Sequence, residues 1–217
     1  VQVQGVLDAH GASPNDLGLI VAGVGPGAFT GVRLALATAR TLAWVAHTPV
    51  VGVSSLEALA AGAGCEGLVV TALDARKQQV YAALYRVGSW PELPTPIVAP
   101  RASDAESFVA LAIEASAGEP LWWVGDESLG ALDAFRRLRR LPAPWAHTVQ
   151  PVVTGHLGIL RAATQGATTW EHLVPLYLRA SEAEENLGAP TGEARIELLE
   201  SSAASEGAGA PSGALSN

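Results

Sequence analysis

Two short stretches of this chain carry residues whose types and spacing could do chemistry. The first is Gly25-Pro26-Gly27-Ala28-Phe29-Thr30-Gly31-Val32-Arg33. Glycine admits backbone conformations closed to other residues, and the helix start that follows directs free N–H groups outward. Gly25 and Gly27 are therefore candidates for lying beside a nucleotide phosphate. The run lacks the Lys-Ser/Thr ending of a P-loop and the glycine spacing of a dinucleotide fold. It reads either as a phosphate cradle or as the turn that presents one particular helix to a partner. The second stretch is Asp74-Ala75-Arg76-Lys77, with Tyr81 just beyond. A carboxylate at a strand end can meet a metal or a phosphate-bound magnesium ion, and Asp74 and Arg76 are the candidates there. An aspartate at a turn also serves local hydrogen bonds.

Other reactive side chains form no recognisable set. The five histidines, His10, His47, His147, His156 and His172, include no pair at helical metal-binding spacing, and Cys65 has no partner cysteine. Ser54-Ser55 adjoins no histidine–acid pair. No catalytic residue and no metal ligand is assigned. Arg136, Arg137, Arg139 and Arg140 are the one basic cluster. They read as a solvated helix face, with contact to RNA or an acidic partner as the other reading.

The elements that must hold these groups follow from apolar patterning. Val1 to His10 reads as the end of an amphipathic helix, with Val3, Val6 and Leu7 on one side, and Ser13 to Asp16 as a turn. Leu17 to Val24 is apolar enough for a buried strand. Thr30 to Ala46 reads as a helix, and Pro49 to Val53 as a second strand. Ser54 and Glu57 have capping-box spacing and open a helix through Ala61. Leu68 to Asp74 and Val80 to Val87 read as an antiparallel hairpin. Gly88 to Pro100, with four prolines, reads as a loop with at most a short edge strand. Ser103 and Glu106 form a second capping box for a helix through Ala115. Leu121 to Val124 is a strand, Glu127 to Arg140 and Thr154 to Gln165 are helices, and Leu173 to Leu178 is extended. From Ser181 the composition turns to Glu, Ala, Ser, Gly and Pro, which reads as a disordered tail with a short helix at Ala194 to Ser201.

The helix over Thr30 to Ala46 is apolar almost all round. Arg33, Thr38, Arg40 and Thr41 are its only polar interruptions. A helix covering one face of a sheet needs a polar outer stripe. Either an N-terminal part preceding Val1 or another subunit is expected to cover the outer face of this one. It reads as a subunit interface, with core packing inside the chain as the plainer account.

Composition bounds the rest. The 217 residues suffice for one large or two small domains, and 49% hydrophobic residues can build a core. A net charge of −8 argues against broad nucleic-acid or membrane-surface binding by this chain alone. One cysteine rules out an internal disulfide framework and fits a reducing compartment. No run is long enough to span a membrane, and no signal peptide is visible. The pattern is α/β, with the lobes read as 1–64 and 65–180, their boundary near Gly62 to Gly67, and the tail as 181–217.

GPGAFTGVRLALATARTLAW, PVVGVSSLEALA, LDARKQQVYAALY and PLYLR occur in that order. Together they resemble the TsaB (YeaZ) family of tRNA threonylcarbamoyladenosine biosynthesis proteins, over about Val1 to Arg179. The resemblance implies an actin-like, Hsp70-like (ASKHA) two-lobed fold and a cytoplasmic protein. It implies a complex with the catalytic paralogue TsaD and the ATPase TsaE, in which TsaC or a relative makes the threonylcarbamoyl-adenylate. TsaD then modifies N6 of adenosine 37 in tRNAs reading codons that start with A. Members are held to be non-catalytic scaffolds that pair through the helix after the glycine run, as heterodimer or homodimer. The implied interface residues here are Phe29, Thr30, Arg33, Leu34, Ala37, Thr38, Arg40 and Thr41. No cofactor is implied for this chain, ATP belongs to the complex, and tRNA is met only through it. TsaD-like proteins carry a helical His-x-x-x-His pair that this sequence lacks. The family's first strands, with an Asp-Thr-Ser-like turn, should come before Val1, so the first lobe is expected without them. An ATP-dependent small-molecule kinase or a peptidase-like enzyme of the same fold remains the alternative.

Overall fold

The computed structural model describes residues 2–179. The tail from Ser181, including the helix expected at Ala194 to Ser201, lies outside the described residues. The chain through Leu176 packs as one compact unit, and a second unit begins at Tyr177.

In chain order the elements are α1 (Gln2–Ala9), β1 (Ile20–Gly25), α2 (Phe29–Ala46), β2 (Val50–Ser54), α3 (Ser55–Gly62), β3 (Gly67–Arg76), β4 (Gln79–Val87), β5 (Thr95–Asp104), α4 (Ala105–Ala115), β6 (Leu121–Gly125), α5 (Asp133–Arg136), β7 (Arg139–Arg140) and α6 (Pro151–Gln165). Single 3-10 turns link several of them.

β1 and β2 pair in parallel, Ile20 opposite Val50 through Gly23 opposite Val53. Side chains alternate across this small sheet. Ile20, Ala22 and Val50 pack with Leu36, Ala39 and Ala43 of α2. Val21, Val51 and Val53 face the other way, toward Leu157 and Val153 of α6. A Cβ on Gly158 would lie 2.3 Å from a Val21 methyl, so the α6 backbone rests directly on β1.

The second sheet has the order β5-β4-β3-β6-β7. β3 is antiparallel to β4, and β4 to β5. β6 runs parallel to β3, and β7 to β6. One face carries Val70, Ala82, Leu84 and Trp123 against Phe108 and Val109 of α4 and Phe135 of α5. The other face packs Val69 and Val124 against Leu59 and Ala63. α3 belongs to both cores: Ala58 joins the cluster on β2, and Leu59 joins the cluster on β3.

Several local expectations are corrected. Pro96 and Pro100 lie inside β5, a ten-residue strand. Prolines are tolerated there because β5 is an edge strand, with one side free of ladder bonds. The helix expected over Glu127 to Arg140 is instead a 3-10 turn at Glu127–Ala131, the single turn α5 and the edge strand β7. The cap of α4 is Asp104, whose carboxylate accepts the Ser107 N–H at 2.8 Å, and Ser103 lies in β5. Ser54 does cap α3, accepting from the Leu56 N–H, but Glu57 does not complete a box. On α1 only Leu7 is buried, and Val3 and Val6 are exposed. The stretch after His172 joins no ladder; Leu173 enters the α2 core and the Leu176 N–H donates to the Val24 carbonyl at 2.8 Å.

Candidate partner-binding face

α2 buries a single narrow stripe, Leu36, Ala39 and Ala43. Their spacing of three and four residues is one face of a helix. The opposite side is open and apolar: Leu34 is 68% exposed, and Val45 is exposed with it. Ala37 and Trp44, the latter 60% exposed, lie open on one flank, while Phe29, seven residues before Leu36, is exposed where the helix begins. The threonines add little polarity. The Thr38 hydroxyl donates to the Leu34 carbonyl at 2.9 Å and the Thr41 hydroxyl to the Ala37 carbonyl at 2.8 Å. Hydroxyls bonded back into their own helix leave their methyl groups toward solvent. Arg33 places its guanidinium 3.9 Å from the centre of the Phe29 ring, and Arg40 lies 5.4 Å from the Trp170 ring. Of the eight expected interface residues, Phe29, Thr30, Arg33, Leu34, Ala37, Thr38 and Thr41 are exposed, and Arg40 is half-buried.

The glycine run sets where this helix starts. Gly25 adopts φ 99°, a left-handed conformation that favours glycine. A Cβ there would lie 3.4 Å from a Val32 methyl and 3.6 Å from the Leu176 carbonyl oxygen. Gly25 is buried and Gly27 exposed, so of the two candidate phosphate-side glycines only Gly27 faces outward. Ala28 stands at the N-cap and offers no side-chain oxygen.

Asp74 lies on the other sheet. Its carboxylate accepts the Arg76 N–H at 2.8 Å and stands 3.5 Å from the Arg76 guanidinium. Arg76, Lys77 and Gln78 have φ of 63°, 51° and 61°. A two-residue hairpin turn of this hand needs positive φ at both central positions and usually takes glycine or asparagine. None is present here, and each such residue costs of order 1–3 kcal/mol. The Asp74 bond is part of what holds that turn. The two groups of candidate phosphate-side residues therefore sit on separate sheets.

Each arginine of the basic cluster has a neighbour. Arg136 pairs with Asp133 at 3.1 Å, Arg137 with Glu106 at 2.7 Å and Arg140 with Glu127 at 2.6 Å, while Arg139 lies 5.8 Å from the Trp122 ring. The four are solvent-exposed but do not share the expected helix face, since Arg137 follows the single-turn α5 and Arg139 and Arg140 lie on β7. Three of the four charges are locally neutralised, which weighs against the RNA reading. Among the described residues, no group of three or more His, Cys, Asp or Glu is placed to hold a metal ion. No helix among them is long and apolar enough to cross a membrane.

One polar network escaped sequence reasoning. Arg161 of α6 donates to the Gly52 carbonyl at 2.7 Å and to the buried Glu57 carboxylate. Tyr85 of β4 is buried beside them; burial, and then the Glu57 charge, push its phenol well above the ordinary tyrosine range. Glu57 alone in an apolar helix was the available signal, and capping spacing gave it a different meaning. His147 is similarly enclosed, with Nε2 2.8 Å from the Leu141 carbonyl and its ring edge-on to Trp123.

Residues 2–90 match the family described as TsaD, tRNA N6-adenosine threonylcarbamoyltransferase. The tRNA threonylcarbamoyladenosine biosynthesis protein TsaB of Bacillus subtilis is 46% identical over 85 residues, 39% of this chain and 37% of that protein. The Escherichia coli TsaB is 41% identical over 87 residues, 39% of this chain and 38% of that one. The matched stretch thus spans well under half the length of these relatives. An uncharacterised protein of Mycobacterium tuberculosis is 35% identical over 169 residues, 78% of this chain and 67% of that protein. Among solved structures, YeaZ from Pseudomonas aeruginosa superimposes with a TM-score of 0.68 at 26% identity, covering 81% of both chains. The parallel pair β1–β2, the mixed second sheet and the buried α3 between them have the α/β organisation of the actin-like ASKHA fold. The chain belongs to the TsaB (YeaZ) family.

Proposed function

We propose that this chain is a non-catalytic docking subunit in the formation of threonylcarbamoyladenosine in tRNA. It binds the transferase subunit TsaD through the open face of α2, and the chemistry at adenosine 37 is carried out by that partner. The observation that carries this reading is the apolar face itself. A soluble chain rarely exposes a contiguous apolar patch of this kind without a partner for it. Leu34, Ala37 and Thr41 along one side of α2 let a second helix approach closely. TsaE and ATP act at the assembled complex, tRNA is met through it, and the setting is the cytoplasm. A second copy of this chain is the competing occupant of the same face.

The reading is tested by reconstitution. TsaD and TsaE from the same organism are supplied with threonylcarbamoyl-adenylate and tRNA, with and without this chain. Modification is expected to depend on the chain, and Ala37→Glu is expected to abolish both co-purification with TsaD and the stimulation. Equal modification without the chain, or an Ala37→Glu variant that still pairs and stimulates, would overturn it.

A further inference from the structure

A second apolar surface lies on the opposite side of the first sheet from α2. On α6, Val152 is 60% and Ile159 57% exposed, and His156 lies open between them. Positions i, i+4 and i+7 form one helical stripe, about 10 Å long. The stripe continues off the helix. Trp90, 55% exposed, meets the His156 ring edge-on, with centroids 5.6 Å apart. Trp90 in turn forms one wall of a cleft of about 250 Å³, lined also by Ala61, Val87 and Gly88 and by two carboxylates, Glu66 and Glu92. A Cβ on Gly88 would meet the Glu92 carboxylate at 2.2 Å, so glycine there lets Glu92 fold over the backbone at the cleft.

We propose that the outer face of α6 and the Trp90 cleft form one docking surface for an apolar helix of a partner protein carrying an arginine or lysine, whose side chain enters the cleft. The charged residues lining the cleft are both acidic. An aromatic face beside two carboxylates suits a guanidinium or ammonium group, which gains from the ring and from both charges. The apolar stripe supplies area, and the cleft fixes register. α2 and α6 cover opposite faces of β1–β2, so this surface can be filled while α2 holds its own partner.

The test uses the full chain and its tryptophan indole N–H signals in 15N spectra, with Trp90 assigned through Trp90→Phe. The probe is a synthetic capped helix of alanine and leucine bearing one arginine, against a counterpart with glutamate in its place. The Trp90 signal is expected to move saturably with the arginine peptide and to stay in place with the glutamate peptide. Glu66→Gln with Glu92→Gln should weaken binding about tenfold, and Val152→Glu should abolish it. Equal response to both peptides overturns the proposal, as does indifference to the paired glutamine substitutions. A Trp90 signal that moves with protein concentration alone also overturns it, because a second copy then covers the surface.

Discussion

Leu34→Glu separates binding from folding on α2. Leu34 is 68% exposed in this chain, so a carboxylate there stays hydrated and should change stability by no more than about 0.5 kcal/mol. In a complex through the same face the charge is enclosed without a partner, at a cost of about 3–5 kcal/mol. That corresponds to a rise in Kd of about a hundredfold or more. The control is two residues away. Leu36 is buried against β1, and Leu36→Ala should cost about 2–5 kcal/mol of folding stability while leaving the outer face intact. Urea unfolding of each variant, paired with calorimetric titration against TsaD at low temperature, reads both quantities. The expected pattern is a double dissociation: Leu34→Glu folds normally and binds poorly, and Leu36→Ala folds weakly and binds normally while folded. If Leu34→Glu binds TsaD with unchanged affinity, the face is not the contact. If it unfolds as readily as Leu36→Ala, the outer side of α2 is covered from within.

The Glu57–Arg161 pair should behave as a coupled unit: Glu57→Ala alone costs about 3–5 kcal/mol, and Glu57→Ala with Arg161→Ala costs clearly less than the sum of the two singles. Additive costs in urea would show that the pair is not coupled. Stability should also fall in acid. The Ser107 N–H holds the Asp104 carboxyl below its ordinary range, the Ser13 N–H does the same for Asp16, and the Arg86 guanidinium for Glu119. A carboxyl lowered in the folded state contributes stability above its unfolded pKa and loses it as pH drops through the lower folded value. The unfolding midpoint should therefore decline below roughly pH 4, less steeply in Asp104→Asn, and a midpoint that rises on acidification would contradict these assignments.

The buried strands were readable because a strand enclosed on both faces is a continuous apolar run, as in Leu68 to Ala72. α2 was readable as a helix, and its lack of a polar stripe matches the exposed apolar side that Leu34 and Val45 present. The errors have local causes. Proline in β5 looks like a loop until the strand is known to be an edge, which is a property of the whole sheet. Ser103 and Asp104 both suit a cap, and only the last ladder position of β5, Asp104 opposite Gln79, decides between them. Glu57 had correct spacing for a capping box, yet its partner lies 104 positions away on α6. Pairings that distant leave no periodic trace. The α6 stripe was missed for a related reason, since its buried side, Leu157 and Gly158, is defined only by Val21 of β1.

The position of α3 has a consequence for how the chain folds. Leu56 through Ala60 are all buried, with contacts to both sheets and to α6. A helix enclosed from two sides has no stable half-structure to belong to. If the chain were divided just before β3, the first piece would expose Leu59 and the second would lose the cover of Val69 and Val124. The two sheets should therefore appear together in refolding and vanish together on heating, in a single transition reported alike by Trp123 in one core and by the helical signal of α2 and α6 around the other.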